Sequence, residues 1–273
     1  MTDFRSDRAF LGSVPRAYET YMVPMFFAPY AADLAARVRA RNPARVLEVA
    51  CGTGVATRAM ASALGPGASI VATDLNQPML DQAAATVPAG LVEWRPADAQ
   101  SLPFPDACFD AVVCQFGVMF FPDKPRAFAE ARRVLRTGGT FFFNSWDRLE
   151  DNVFAHAVTE GVATVFPEDP PRFLARTPHG YHEPARIRGH LAEAGFRAPP
   201  RIETVALRSR AESARNVAIA FCRGSPLREE IEARDLSKLE EAVAASERSV
   251  ALRFGSGEVE GKMQAHVLEI ARA

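Results

Sequence analysis

Little in this sequence points to a membrane, a nucleic acid or a metal. No apolar run approaches the ~20 residues that span a bilayer, and the opening residues, with Asp3, Arg5, Asp7 and Arg8, lack the apolar core of a signal peptide. Neither sign of charge dominates: 32 basic and 33 acidic residues leave a formal net charge of -1, with no long single-sign run of the kind that forms a nucleic-acid arm or an acidic tail. These absences lead to a cytoplasmic protein without a membrane span or a nucleic-acid partner. Cysteine is scarce, and Cys51, Cys108, Cys114 and Cys222 show no C-x-x-C spacing. The first three lie in or beside apolar runs, where free cysteine packs as a small hydrophobe. Of the five histidines only His179 and His182 are close neighbours, and no cysteine or carboxylate pattern completes a zinc set. No metal is expected.

What is present is a core-building chain. With 273 residues and 48% hydrophobic content, one large α/β domain is expected over 1–273. A helical N-terminal lid is expected over 1–43, a cofactor-binding core over 44–146, and helices with the last two strands, on the acceptor side, over 147–273. Within the core, short Val-, Ile- and Phe-rich runs alternate with helical patterns, the signature of βαβ units and a mostly parallel sheet with helices on both faces. Strands are expected at 45–50, 69–74, 91–95, 109–115 and 140–146, and helices at 55–64, 77–85 and 124–135. Gly65-Pro66-Gly67 and Gly138-Gly139 stop the first and last of these helices, and Pro78 sits harmlessly in a first turn. Residues 16–39 read as a helix broken at Pro24 and Pro29. Beyond the core a helix is expected over 151–166, a Pro-rich loop over 167–184, a helix over 184–194 and a strand over 201–207. Mainly helical chain then leads to a last strand at 262–271.

Between the first strand and first helix runs Glu48-Val49-Ala50-Cys51-Gly52-Thr53-Gly54. A glycine turn exposes bare backbone to a ligand, and the following helix start offers unpaired N–H groups with partial positive charge. A dinucleotide fingerprint needs a third glycine where this chain has Thr57, which disfavours a nicotinamide-dependent oxidoreductase. Asp74, at the end of the second strand, is placed to accept ribose hydroxyls of either kind of cofactor. Glu48 lies inside an apolar strand, where an unpaired carboxylate costs several kcal/mol. It therefore needs a donor, either the ammonium of a bound amino acid or a backbone N–H. Asp98-Ala99 follows the third strand.

Four blocks in this order resemble the class I S-adenosylmethionine-dependent methyltransferases, within their ubiquinone- and menaquinone-biosynthesis-like small-molecule branch. They are Val46 to Gly54, Ala72 to Leu80, Ala97 to Asp106 and Phe109 to Gln115. The resemblance implies a Rossmann-like seven-stranded sheet of order 3-2-1-4-5-7-6, the last strand antiparallel. It implies S-adenosylmethionine as cofactor, S-adenosylhomocysteine as product and a small molecule as methyl acceptor. It places Gly52 and Gly54 at the methionine portion, Asp74 at the ribose, Leu75 and Met79 on the adenine, Asp98 and the Ala99 N–H at its edge, and Gln115 and Phe116 near the amino group and reactive methyl, with Ala50 and Glu48 also among the cofactor-binding residues.

Methyl transfer from a sulfonium chiefly requires alignment in a dry pocket, so no catalytic residue is assigned. His182-Glu183-Pro184 reads first as a helix entry. The aromatic residues Tyr18, Tyr21, Phe26, Phe27 and Tyr30 suit either a lid over the sulfonium, with Tyr21 reaching the cofactor, or plain packing. Phe116 to Phe121, Trp146 and the 167–181 loop suggest an apolar or aromatic acceptor. A non-catalytic binding module and a homodimer both stay open.

Overall fold

A computed structural model describes residues 14–88 and 90–273; Asp3, Arg5, Asp7 and Arg8 lie outside the described residues. The chain divides into two compact units, 28–146 with 181–205 and 265–273, and 14–27 with 147–180 and 206–264. These boundaries cut across the sequential segments expected above.

The first of these units carries most of a seven-stranded sheet of order β3-β2-β1-β4-β5-β7-β6. In chain order the strands are β1 (Arg45–Val49), β2 (Ser69–Asp74), β3 (Val92–Pro96), β4 (Phe109–Cys114), β5 (Leu135–Trp146), β6 (Arg201–Ala211) and β7 (Val259–Ala271). The first five pair in parallel, and β7 runs antiparallel to β5, as expected. The helices of this unit are α2 (Ala28–Arg39), α3 (Val55–Ala63), α4 (Gln77–Ala84), α5 (Lys124–Val134) and α8 (Pro184–Glu193). Both faces of the central strands are apolar because both are covered. On one face Leu34, Ala35 and Val38 of α2 and Met60 of α3 close over Val46, Ile70, Ala111, Val113, Phe142 and Val267. On the other, Phe128 of α5 packs on Phe141 and Phe143, with ring centroids 5.7 and 5.3 Å away. Arg37 fastens the outside of α2 through Asp33, Glu203 and Glu269.

The second unit is mainly helical: α1 (Val14–Ala17), α6 (Val153–Val165), α7 (Phe173–Arg176), α9 (Ala214–Gly224), α10 (Leu227–Arg234) and α11 (Leu239–Phe254). Helix α6 approaches α11 so closely at Gly161 that a Cβ there would lie 2.7 Å from the Ser246 Cα.

Three expectations need correction. Residues 14–39 are not a broken helix: α1 passes through a wide-turn helical segment, Tyr18–Phe27, directly into α2. Wider i→i+5 turns accommodate Pro24, whose missing N–H would interrupt an α-helix. The strand expected at 140–146 starts earlier: the helix before it ends at Val134, close to the expected 135, and β5 begins at Leu135 with Gly138 inside it, held by pairing of Leu135 with Phe109 and by Gly138 N–H donating to Arg272 O (2.7 Å). The 167–184 loop contains the short helix α7.

Candidate active site

The candidate site grows from the carboxyl ends of β1, β2, β3 and β4, where open α/β sheets collect their ligands. At the end of β1 the chain turns through two left-handed residues, Ala50 (φ 54) and Gly52 (φ 56), before Gly54 (φ 83) opens α3. Phe116, just past β4, is also left-handed (φ 51). A non-glycine side chain in this region costs about 1–3 kcal/mol, so two of them at adjacent strand ends mark a turn held by its surroundings. Gly117 shows the tightness: a Cβ there would lie 2.7 Å from both Ala50 Cβ and Cys114 Sγ.

The two expected glycines differ in what they do. A Cβ on Gly54 would meet Ala83 Cβ at 3.0 Å and Trp94 at 3.3 Å, so its lack of a side chain is required by packing. Around Gly52 the space is open. Between them, the Thr53 hydroxyl is buried and has no hydrogen-bond partner among the described residues. Open space beside bare backbone and an unused buried hydroxyl fit a polar ligand seated on this turn.

Asp74 organises the second strand end. It receives hydrogen bonds from Gly52 N–H (2.9 Å) on one oxygen and from Asn76 N–H (2.8 Å) on the other, and lies 6% exposed. Burial raises its pKa, while the bonds from Asn76 and Gly52 oppose the shift. Each carboxylate oxygen retains accepting capacity for a hydroxyl. Ala97 N–H donates to Asp74 O (3.0 Å), which brings the end of β3 alongside. There Asp98 accepts from Gln100 N–H (2.9 Å), and Ala99 is buried. The loop is anchored on α5, since Arg126 donates to Gln100 O (2.9 Å) and Leu102 N–H to Glu130 (2.8 Å). Leu75 is 52% exposed, an apolar surface at a ligand-binding edge, whereas Met79 is buried.

Glu48 is 1% exposed. Its partner is neither of those expected from the sequence: the Thr57 hydroxyl donates to Oε2 at 2.5 Å. Thr57 occupies the place of the missing third glycine, so one residue both departs from the dinucleotide pattern and serves the buried acid. Burial pushes the Glu48 pKa up to about 8; the Thr57 bond and Arg58 oppose that shift, and Asp74 adds to it.

Thr57, Asn76, Thr53 and Gly117 join the site without having been expected there from the sequence. Thr57 had a readable signal, because a third-glycine position faces the preceding strand. Glu48, Ala50, Gly52, Gly54, Asp74, Leu75, Met79, Asp98, Ala99, Gln115 and Phe116 all belong to the sheet-bearing unit. Tyr21 belongs to the other, where it lines an open cleft of about 630 Å³ with Arg16, Arg223 and Arg228. The aromatic group is divided as well. Phe26 packs on Phe221 (4.9 Å) in the helical unit, and Tyr30 is buried in the sheet unit, its hydroxyl donating to Val205 O (2.8 Å). At His182 the structure shows a helix entry, with Glu183 as N-cap and Pro184 in the first turn of α8. Among the described residues no group of three or more His, Cys, Asp or Glu is placed to hold a metal, and no helix is long and apolar enough to cross a membrane.

A sheet of this order with an acid at the end of β2 and a glycine turn after β1 defines the methyltransferase class. A methyltransferase-domain family model matches residues 47–143. The ubiquinone/menaquinone biosynthesis C-methyltransferase UbiE of Saccharophagus degradans is 31% identical over 169 residues, covering 57% of this chain and 68% of the relative. The protein of the same name from Burkholderia mallei is 32% identical over 179 residues, covering 60% and 71%. Among solved structures, phosphoethanolamine N-methyltransferase 2 of Haemonchus contortus, in complex with S-adenosyl-L-methionine, aligns with a TM-score of 0.61 at 17% identity, over 100% of this chain and 61% of that one. That last likeness is one of fold. The chain belongs to the class I S-adenosylmethionine-dependent methyltransferases, and S-adenosylmethionine is its cofactor.

Proposed function

We propose that this enzyme methylates a small, apolar or aromatic acceptor, and that 1–273 works as one methyltransferase domain in the cytoplasm. The observation that carries the cofactor geometry is the Asp74 carboxylate fixed between Gly52 N–H and Asn76 N–H. In this reading Asp74 takes the ribose hydroxyls, and Leu75 and Met79 hold the adenine faces. Asp98 and Ala99 N–H read the adenine edge, while Ala50, Gly52, Gly54 and Thr53 cradle the methionine portion. Glu48 and Gln115 face the ammonium. When bound, S-adenosylmethionine supplies an electrophilic methyl whose positive charge disappears on transfer, so the protein's task is alignment and exclusion of water.

The acceptor reading is supported by an aromatic slab past β4 and β5. Phe116 and Trp146 stack at 3.9 Å with planes 10° apart, and Tyr30 stands edge-on to both at 5.2 and 5.4 Å. The two UbiE relatives, named as C-methyltransferases of quinone biosynthesis, support an aromatic ring as the acceptor. The test is incubation with methyl-labelled S-adenosylmethionine and a panel of quinols, phenols and amines. Label is expected in a quinol or phenol. Transfer only to amines would refute the acceptor class, and cofactor binding with no transfer to any member would favour a binding module.

A further inference from the structure

Strand alternation puts Phe142, Asn144 and Trp146 on the same face of β5, the face whose Phe142 packs beneath Leu34 and Val38 of α2. The ladder pairing Val113 with Phe142 and Cys114 with Phe143, carried one step further, sets Gln115 beside Asn144. Asn144 is 0% exposed, and neither its carbonyl oxygen nor its amide nitrogen has a partner among the described residues. Its cross-strand partner is Val267. A primary amide in such surroundings gives up its bonds to water and gains none in return. A leucine would fill nearly the same volume without that penalty. A buried polar group left unsatisfied in this way calls for an explanation, and a ligand that completes its bonds is one. The amide also lies two residues before Trp146, whose ring forms the slab with Phe116.

We propose that Asn144 is the polar anchor of the acceptor subsite, with its Nδ2 donating to and its Oδ1 accepting from a neutral oxygen substituent of an aromatic acceptor held against Phe116 and Trp146. This rests on the aromatic-acceptor reading above. The amide is uncharged and carries both a donor and an acceptor, so it matches a ring hydroxyl, or a hydroxyl with a neighbouring carbonyl. An ionic substituent would find no opposite charge in it. Asn144 thereby selects oxygenated rings, as a residue that orients the acceptor and takes no proton.

The test compares wild type with Asn144→Leu. Calorimetry on protein saturated with S-adenosylhomocysteine measures the binding of naphthalene-1,4-diol and of naphthalene. Wild type is expected to prefer the diol by at least tenfold, and Asn144→Leu to lose that preference. Affinity for S-adenosylmethionine should stay within twofold, and the melting temperature should rise because an unsatisfied amide has been removed. A lower melting temperature for Asn144→Leu would show that the amide is bonded within the fold and would overturn the proposal. So would a diol preference that survives in the variant, or one that is absent from wild type. Failure of wild type to bind either naphthalene or the diol would instead strike the aromatic-acceptor reading itself, so the two failures are separable.

Discussion

Replacing Glu48 with glutamine should stabilise this protein at neutral pH, against the usual expectation for a residue in a binding motif. The carboxyl is buried, with a pKa near 8, against 4.5 for an ordinary glutamate. Between these values the folded protein keeps a proton that the unfolded chain releases, so unfolding is favoured increasingly as pH rises. Each unit of difference is worth about 1.4 kcal/mol, which gives a penalty of about 3 kcal/mol at pH 7. Glutamine keeps the oxygen that receives the Thr57 hydroxyl but adds an unsatisfied amide hydrogen, worth about 1 kcal/mol. The net expectation for Glu48→Gln is a gain of about 2 kcal/mol at pH 7, or roughly 4–8 °C in melting temperature. The direction with pH is the sharper part. The advantage of the variant should shrink toward pH 4.5, grow as pH rises to about 8, and level off above it. Thermal melts of both proteins in steps from pH 4.5 to 9 measure this directly. A variant less stable than wild type at pH 7, or a difference that does not change with pH, would refute a neutral buried Glu48. The stabilised variant should also bind S-adenosylmethionine more weakly, since the carboxyl of Glu48 can give up its proton to meet the proposed ammonium whereas an amide cannot become charged.

The two glycines should separate stability from binding. Gly54→Ala meets Ala83 and Trp94 and retains a positive φ, so a loss of about 2–3 kcal/mol is expected in denaturant melts. Gly52→Ala enters open space but keeps a positive φ, so it should carry only the backbone strain of about 1 kcal/mol, melt closer to wild type than Gly54→Ala, and show at least tenfold weaker S-adenosylmethionine binding by calorimetry. Asp74→Asn should weaken the cofactor at least tenfold while affecting adenine binding less, because the proposed lost contacts are to ribose hydroxyls. An equal loss for adenine and for the whole cofactor would argue against that role.

The strands and helices of the core were legible from local patterns, apolar runs of strand length punctuated by Gly and Pro in βαβ rhythm, whereas the order of the strands in the sheet came from the resemblance to class I methyltransferases. Where the reading failed, the deciding contact was distant. Nothing near Thr140 says that β5 begins at Leu135, since that start is held by Phe109 and by Arg272 at the far end of the chain. Pro24 was read by its effect on an α-helix, but the chain winds through it in wider turns. Asn144 carried no signal at all, because an asparagine's meaning depends on which neighbours fail to bond it.

Thr57 is the instructive case between these extremes. Its presence was used to set a dinucleotide aside, an argument from what the position lacks. The structure adds what the position supplies. The third glycine of a dinucleotide fingerprint exists so that helix and strand can approach closely, and the same proximity puts a hydroxyl there within reach of the strand's interior side chains. Thr57 reaches Glu48 because the helix start already lies over β1. An acid inside the first strand and a hydroxyl in the first turn of the next helix are therefore one feature. The acid tolerates burial partly because the hydroxyl is there, and removing the hydroxyl leaves the acid with only a more distant arginine opposing its neutralisation.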